Sequence, residues 1–242
     1  MRFLHLVFDH PLESRNIAGF RASVARAAGY EQDLLHNHRE DGSVQYRYPL
    51  VQYRSERGLA AIVGLAAGAE AIYDWYHAAG HQLLWDDVVQ PLRLHSLDVQ
   101  VLSLRYHEDP ATYRLTHWLA LNDRHYHNWQ QLPDVAAQKA ELERLLVAHL
   151  LTFCRAVHWR LPERLEVALQ ELHAVRRTRF LGVSLMAFDV HFQCNLHLPY
   201  GVGLGKGVSH GFGVCRPVPP IPDRRPGSGV PENKLEQDCR IF

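Results

Sequence analysis

Residues 198–215 read LPYGVGLGKGVSHGFGVC, and no other stretch limits the backbone of this chain so severely. From Gly203 the order is glycine, apolar, glycine, five residues, glycine, apolar, glycine. Glycine at this density is poorly suited to a helix or strand interior and marks a backbone that takes positive φ and lets another group come close. Successive N–H groups in such a turn make an anion-binding concavity, and Lys206 sets a point charge within it. The expected guest is a phosphate. Two familiar phosphate loops do not match. A nucleotide P-loop needs Ser or Thr directly after its Lys, where this chain has Gly207, and no register of the glycines gives the dinucleotide pattern G-x-G-x-x-G. From the glycines alone, a hairpin that merely turns the chain is the alternative.

Composition narrows the class. At 242 residues, 47% of them hydrophobic, the chain is long enough for one large or two small domains with a proper core. Lys plus Arg equals Asp plus Glu at 26 each, which excludes a protein coated in positive charge but not a local basic groove. Cys154, Cys194, Cys215 and Cys239 form no C-x-x-C pair, a spacing that points to free thiols in a reducing compartment. His5 and Asp9 interrupt the opening MRFLHLVFDHP before a signal peptide can build, and the longest apolar window, 59–69, stops at Glu70. The final CRIF is a chance match to a prenylation box, because Arg240 stands where an aliphatic residue belongs. A soluble, cytoplasmic protein with no membrane partner is expected.

Patterning predicts strand over 3–8, a helix carrying Ile17, Phe20, Val24 and Ala28 that stops at Gly29, and a loop over 36–42. Strand is expected over 44–54, with Pro49 confining it to an edge or bulge, then over 59–65 after a turn at Gly58. A helix over 68–77 and strand over 92–106 complete the order strand, helix, strand, strand, helix, strand of a ferredoxin-like unit. The second half repeats this less clearly. Strand is expected over 112–121, an aromatic and His-rich connector over 122–131, and a helix from Asp134 with Leu142, Leu145, Leu146, Leu150, Phe153 and Val157 on one face. That stripe reads as core and is assigned no chemistry. Strands over 164–172 and 180–196 follow, separated by a solvated basic turn at Arg176, Arg177 and Arg179. Beyond Cys215 prolines multiply and apolar residues thin out, so 217–242 reads as a flexible tail.

The loop from Gly203 to Gly213 resembles the C-terminal glycine-rich loop of the CRISPR repeat-processing endoribonucleases, members of the RAMP superfamily. The resemblance extends to the other end of the chain, where His36-Asn37-His38 followed by YRYPLVQYR at 46–54 looks like the corresponding stretch of one branch of that family. It implies an α+β fold of two tandem ferredoxin-like units with antiparallel sheets, divided here at 1–108 and 109–216. The chain holds 17 histidines, so one H-x-H pair is unsurprising, and a second stands at His125 and His127. On an extended backbone, however, residues two apart face the same side, so His36 and His38 can converge on one phosphodiester. Imidazoles of near-neutral pKa then supply both a base and an acid.

By the resemblance His36 and His38 are the catalytic pair, and Tyr46, with Tyr48 two residues on, is the choice for the assisting tyrosine. Gly203, Gly205, Lys206, Ser209, Gly211 and Gly213 would hold the RNA backbone, with Arg54, and Arg47 beside it, extending the track. The implied reaction is cleavage of precursor CRISPR RNA by its own 2′-hydroxyl, giving a 2′,3′-cyclic phosphate and a 5′-hydroxyl with no metal and no cofactor. Asp86 with Asp87, or His125 with His127, lack the third and fourth ligands a metal site needs. Expected partners are CRISPR repeat RNA, CRISPR effector complex subunits and a second copy of the chain as a homodimer. Two rival readings are a non-catalytic RNA-binding subunit of an effector complex, which needs Lys206 and the glycines but not two imidazoles, and a nucleotide-binding enzyme using the loop for a free phosphate.

Overall fold

Alternating apolar residues at the start of the chain produce β1 (Arg2–Pro11), which buries Leu4, Leu6 and Phe8 on one face. The computed structural model describes residues 1–29, 32–35, 47–79, 81–85 and 88–219, the side chain of His107 excepted. Helix α1 (Ile17–Ala28) buries Ile17, Phe20 and Val24 at helical spacing and ends at Gly29, whose φ of 72° no continuing helix could adopt. Strands β2 (Val51–Glu56) and β3 (Leu59–Leu65) form a hairpin closed by Arg57 and Gly58, at φ 52° and 82°. Two residues at positive φ make the primed turn whose twist matches its strands. After α2 (Ala67–Ala78) come a two-stranded ribbon, β4 (Gln82–Trp85) with β5 (Val88–Pro91), and then β6 (Leu94–Val101). The first sheet is antiparallel in the order β2-β3-β1-β6, the ferredoxin-like arrangement.

The second unit begins with β7 (Tyr106–Trp118), then α3 (Asp123–Gln130) and α4 (Val135–Ala156). It continues through β8 (Val167–Phe180), β9 (Val183–Leu196) and β10 (Val214–Pro217). Its antiparallel sheet runs β10-β7-β9-β8, the same order as the first when strands are counted within each unit. One component differs. Where the first unit crosses from its third to its fourth strand through α2, the second crosses through the glycine-rich stretch, which contains only a 3-10 turn at Val208–His210.

Asp134 caps α4 by accepting the Ala137 N–H at 2.7 Å, and Leu142, Leu146, Leu150 and Phe153 are buried along its inner face. Each such side chain contributes about 1.5–3 kcal/mol on burial. Their cluster extends to Leu198, Val202 and Leu204 of the glycine-rich stretch, and to Phe3, Val63 and Leu65 of the first sheet. The crossover is therefore anchored in the core and joined to the first unit by apolar contact.

Several local expectations are corrected. Residues 123–130 are helical, because Asn122 caps them by accepting the His125 N–H and because Tyr126 and Trp129 pack on Phe188. Strand β2 starts only at Val51, beyond Pro49, and the expected strand over 92–106 is broken between β6 and β7. Arg176, Arg177 and Arg179 lie within β8, and the turn falls at Leu181 and Gly182, φ 49° and 81°. Pro217 belongs to β10, and the Val218 N–H donates to the Thr112 carbonyl at 2.9 Å. Residues 220–242 lie outside the described residues, as do His36, His38, Tyr46, Asp86 and Asp87. Among the described residues no helix is long and apolar enough to cross a membrane, and Cys154, Cys194 and Cys215 are free and buried.

Candidate functional site

The chain enters the stretch 36–46 from Leu35, which is 1% exposed and whose carbonyl accepts the Tyr53 hydroxyl at 3.1 Å. It leaves at Arg47, whose guanidinium donates to the Asp33 carbonyl at 2.8 Å. The next residues reach directly to the glycine-rich crossover. Tyr48 donates its hydroxyl to the Gly203 carbonyl at 2.8 Å and accepts from Gln52 Nε2 at 2.9 Å, while Gln52 Oε1 accepts the Gly203 N–H at 3.0 Å. Burial pushes the Tyr48 phenol well above the ordinary tyrosine range, so it stays protonated and holds this junction. The two motifs at opposite ends of the sequence thus meet through side chain and backbone.

On one side of the crossover, Gly205 takes φ 93° and lies against the Trp118 indole, where any Cβ would collide. Trp118 Nε1 donates to His149 Nδ1 at 3.2 Å. That bond leaves the proton of the neutral imidazole on Nε2. Burial, and then the nearby ammonium of exposed Lys206, pull His149 down to about 4, so it is an uncharged donor at neutral pH. Sequence reasoning missed His149; the available signal was a histidine set inside the otherwise apolar stripe of α4. Gly213, at φ 64°, has no room for a Cβ because the Leu204 carbonyl occupies that space. Many N–H groups of the crossover are spent internally: Leu204 donates to Gly213, Lys206 to Leu119 and Gly213 to His117. Within the described residues, the N–H groups of Gly205, Gly207 and Val208 make no such bond.

On the other side runs a groove of about 740 Å³, lined from both units. Arg15, Arg54, Arg114, Arg176, Arg179 and Arg216 contribute six guanidinium groups to it. Among the described residues its one lining carboxylate, Asp189, is already engaged, accepting the His117 N–H at 2.7 Å and forming an ion pair with Arg176, N to O 3.2 Å. His117 is placed for this by φ 51° at an irregularity in β7. Arg54 is only 3% exposed, yet no carboxylate of the described residues lies within ion-pair distance. Its guanidinium donates to Gln52 Oε1 at 3.4 Å. Burial, opposed by Glu56, pulls the guanidinium down to about 10, and it remains charged. A buried cation lacking a counterion at a groove floor is chemically matched to an incoming anion.

Gly211 lines this groove beside Arg54, whereas Gly203, Gly205, Lys206 and Gly213 do not. Ser209 is 7% exposed and its hydroxyl lies 3.1 Å from His210 Nδ1, so it serves the crossover internally. His210, which does line the groove, is pulled down to about 4 by burial and then by Arg21.

Two tandem ferredoxin-like units, the second closed through a glycine-rich crossover, put the chain in the class of duplicated ferredoxin-like proteins. Within that class, the family model described as the Cas6b N-terminal domain matches residues 1–103 and that of the Cas6b C-terminal domain matches residues 105–218. This chain belongs to the Cas6b family.

A crystal structure of Cas6b superposes with a TM-score of 0.77 at 20% identity, covering 90% of this chain and 100% of the other. A CRISPR RNA processing endoribonuclease Cas6b superposes at 0.66 with 19% identity, again over 90% and 100%. The type IV Cas6 crRNA endonuclease Csf5 does so at 0.60 with 14% identity over the same shares. At such identities the likeness concerns the fold. The uncharacterized protein MJ0978 of Methanocaldococcus jannaschii is 30% identical over 96 residues, which make up 40% of this chain and 64% of that relative. The chain thus spans just under two thirds of its length.

Proposed function

We propose that this chain is a cytoplasmic, metal-independent endoribonuclease that cuts precursor CRISPR RNA within its repeats. The observation that carries this reading is the junction of Tyr48 and Gln52 with Gly203, which joins the segment following the histidine pair to the glycine-rich crossover. The arginine groove, present on a chain of zero net charge, supports RNA as the ligand.

In the proposed reaction one of His36 and His38 takes the proton of a ribose 2′-hydroxyl. The 2′-oxygen forms a bond to the adjacent phosphorus, the bond to the 5′-oxygen breaks, and the other imidazole, protonated, gives its proton to that leaving oxygen. Tyr46 assists. The products are a 2′,3′-cyclic phosphate and a 5′-hydroxyl, and acid–base chemistry of this kind needs no metal. Lys206 and the Nε2–H of His149 face charge building on the phosphoryl oxygens. Gly203, Gly205, Gly211 and Gly213 shape the ribbon along which the backbone lies, Ser209 stiffens it, and Arg54 neutralises a neighbouring phosphate.

The division into two units belongs to the same proposal, with the boundary between β6 and β7 rather than at 108/109 and the second unit reaching past 216 through Pro217, as do effector complex subunits and a second copy of the chain as partners. The deciding experiment incubates the protein with its cognate repeat RNA in chelator, beside the same RNA carrying a deoxyribose just 5′ of the cut. Cleavage of the first substrate alone is expected. Binding without cleavage of either would replace this reading with a non-catalytic RNA-binding subunit.

A further inference from the structure

Two bulges distort β8 where it pairs with β9. The register passes from Leu169 opposite Phe192 to Glu171 opposite His191, and from Leu172 opposite Val190 to Ala174 opposite Asp189. Gln170 and His173 are therefore extra residues, and bulges of this kind re-aim side chains. The result is a cluster of Glu171, His173 and His191 whose ligand atoms all lie within 4.8 Å of one another. Glu171 Oε1 is 3.2 Å from His173 Nδ1, and the two imidazole rings stand edge to face with centroids 4.1 Å apart.

We infer that Glu171, His173 and His191 form a binding site for a borderline divalent ion of the Zn²⁺ class, which ties the two strands together at the bulges. Two imidazoles and one carboxylate are a ligand set that such ions favour, and three protein ligands leave a coordination position for water or an anionic oxygen. Ligand atoms around a tetrahedral Zn²⁺ stand about 3.4 Å apart, given bonds of about 2.1 Å, so side-chain rotations alone close the cluster. An ion also gives the close pair of imidazoles a shared partner, where protonation would set like charges against each other. Arg114, opposite His191 on β7, opposes a cation by its charge. The side chains of His173 and Glu171 are 32% and 61% exposed, so an ion reaches them from solvent. The site uses none of the residues assigned to RNA cleavage.

The test uses the full, tag-free chain, stripped with chelator and dialysed, then titrated with Zn²⁺ against a chromogenic competitor while Tm is followed. The expected result is one Zn²⁺ per chain and a Tm raised by several degrees at Zn²⁺ on the order of 100 times Kd. His173→Ala and His191→Ala should each weaken binding at least tenfold and abolish the Tm rise, with the metal-free Tm little changed. A His125→Ala/His127→Ala control should bind as the wild type does. Absence of stoichiometric binding, or unchanged affinity in a His173→Ala/His191→Ala double variant, would overturn the inference. Cleavage in chelator is unaffected either way.

Discussion

Arg54 shows how a single side chain can be retained at a cost to the folded protein. A guanidinium 3% exposed, with no carboxylate of the described residues at ion-pair distance, carries a desolvation penalty that Glu56 offsets only in part and a bound anion would offset further. Arg54→Met, of similar volume, should leave Tm unchanged or raised while weakening binding of repeat RNA about tenfold, as read by thermal denaturation beside filter binding. His149 and His210 make a second residue-scale case, since both fall to about 4 from an ordinary 6.5. Above pH 6.5 both are neutral in either state and cost nothing. Below it the unfolded chain takes up protons that the folded chain refuses, so stability should decline from pH 6.5 to about 4, by roughly 1–3 kcal/mol per histidine. Urea denaturation across that window checks this, and His210→Gln should flatten the slope. Arg54 was expected on the RNA track, but its burial and the surroundings of the two histidines were not legible in the sequence. Arg54 is one of 26 basic residues, and its isolation depends on Gly201 and Gln52 packing against it in three dimensions.

At the scale of elements, the crossover of the second unit is a ribbon whose shape rests on close backbone approach. Gly213→Ala places a methyl group against the Leu204 carbonyl at φ 64° and should cost about 2–4 kcal/mol by denaturant titration. Tyr48→Phe removes a donor to Gly203 and an acceptor for Gln52, and should cost about 1–2 kcal/mol. Elements fixed by local signals could be read directly: the hairpin around Gly58, the helix starting near Asp134 with its apolar stripe, and the stop at Gly29. Those that escaped depend on distant partners. Helix α3 is held by Tyr126 and Trp129 on Phe188, far along the chain, and the Arg176 run is strand because it pairs with β9 and meets Asp189. The β4–β5 ribbon has four residues in each strand, too short for alternation to stand out.

For the whole molecule, the account rests on two sheets of one topology joined so that an early segment and a late crossover share a junction, with an arginine groove beside it. If all six groove arginines contact phosphates of single-stranded RNA, log K should fall against log salt with a slope of about −4, and Arg114→Gln or Arg179→Gln should make it shallower by a little under one. The family and the paired motifs could be read from residues 36–54 and 203–213, because chemistry fixes those letters locally. The groove could not, since its six arginines come from five separate places in the chain. The most direct test of the central claim is single-turnover cleavage of cognate repeat RNA, measured beside its affinity, for a His36→Ala/His38→Ala double variant. The account predicts cleavage slowed at least about 100-fold with affinity within about twofold of wild type. Cleavage by the double variant at the wild-type rate would contradict it.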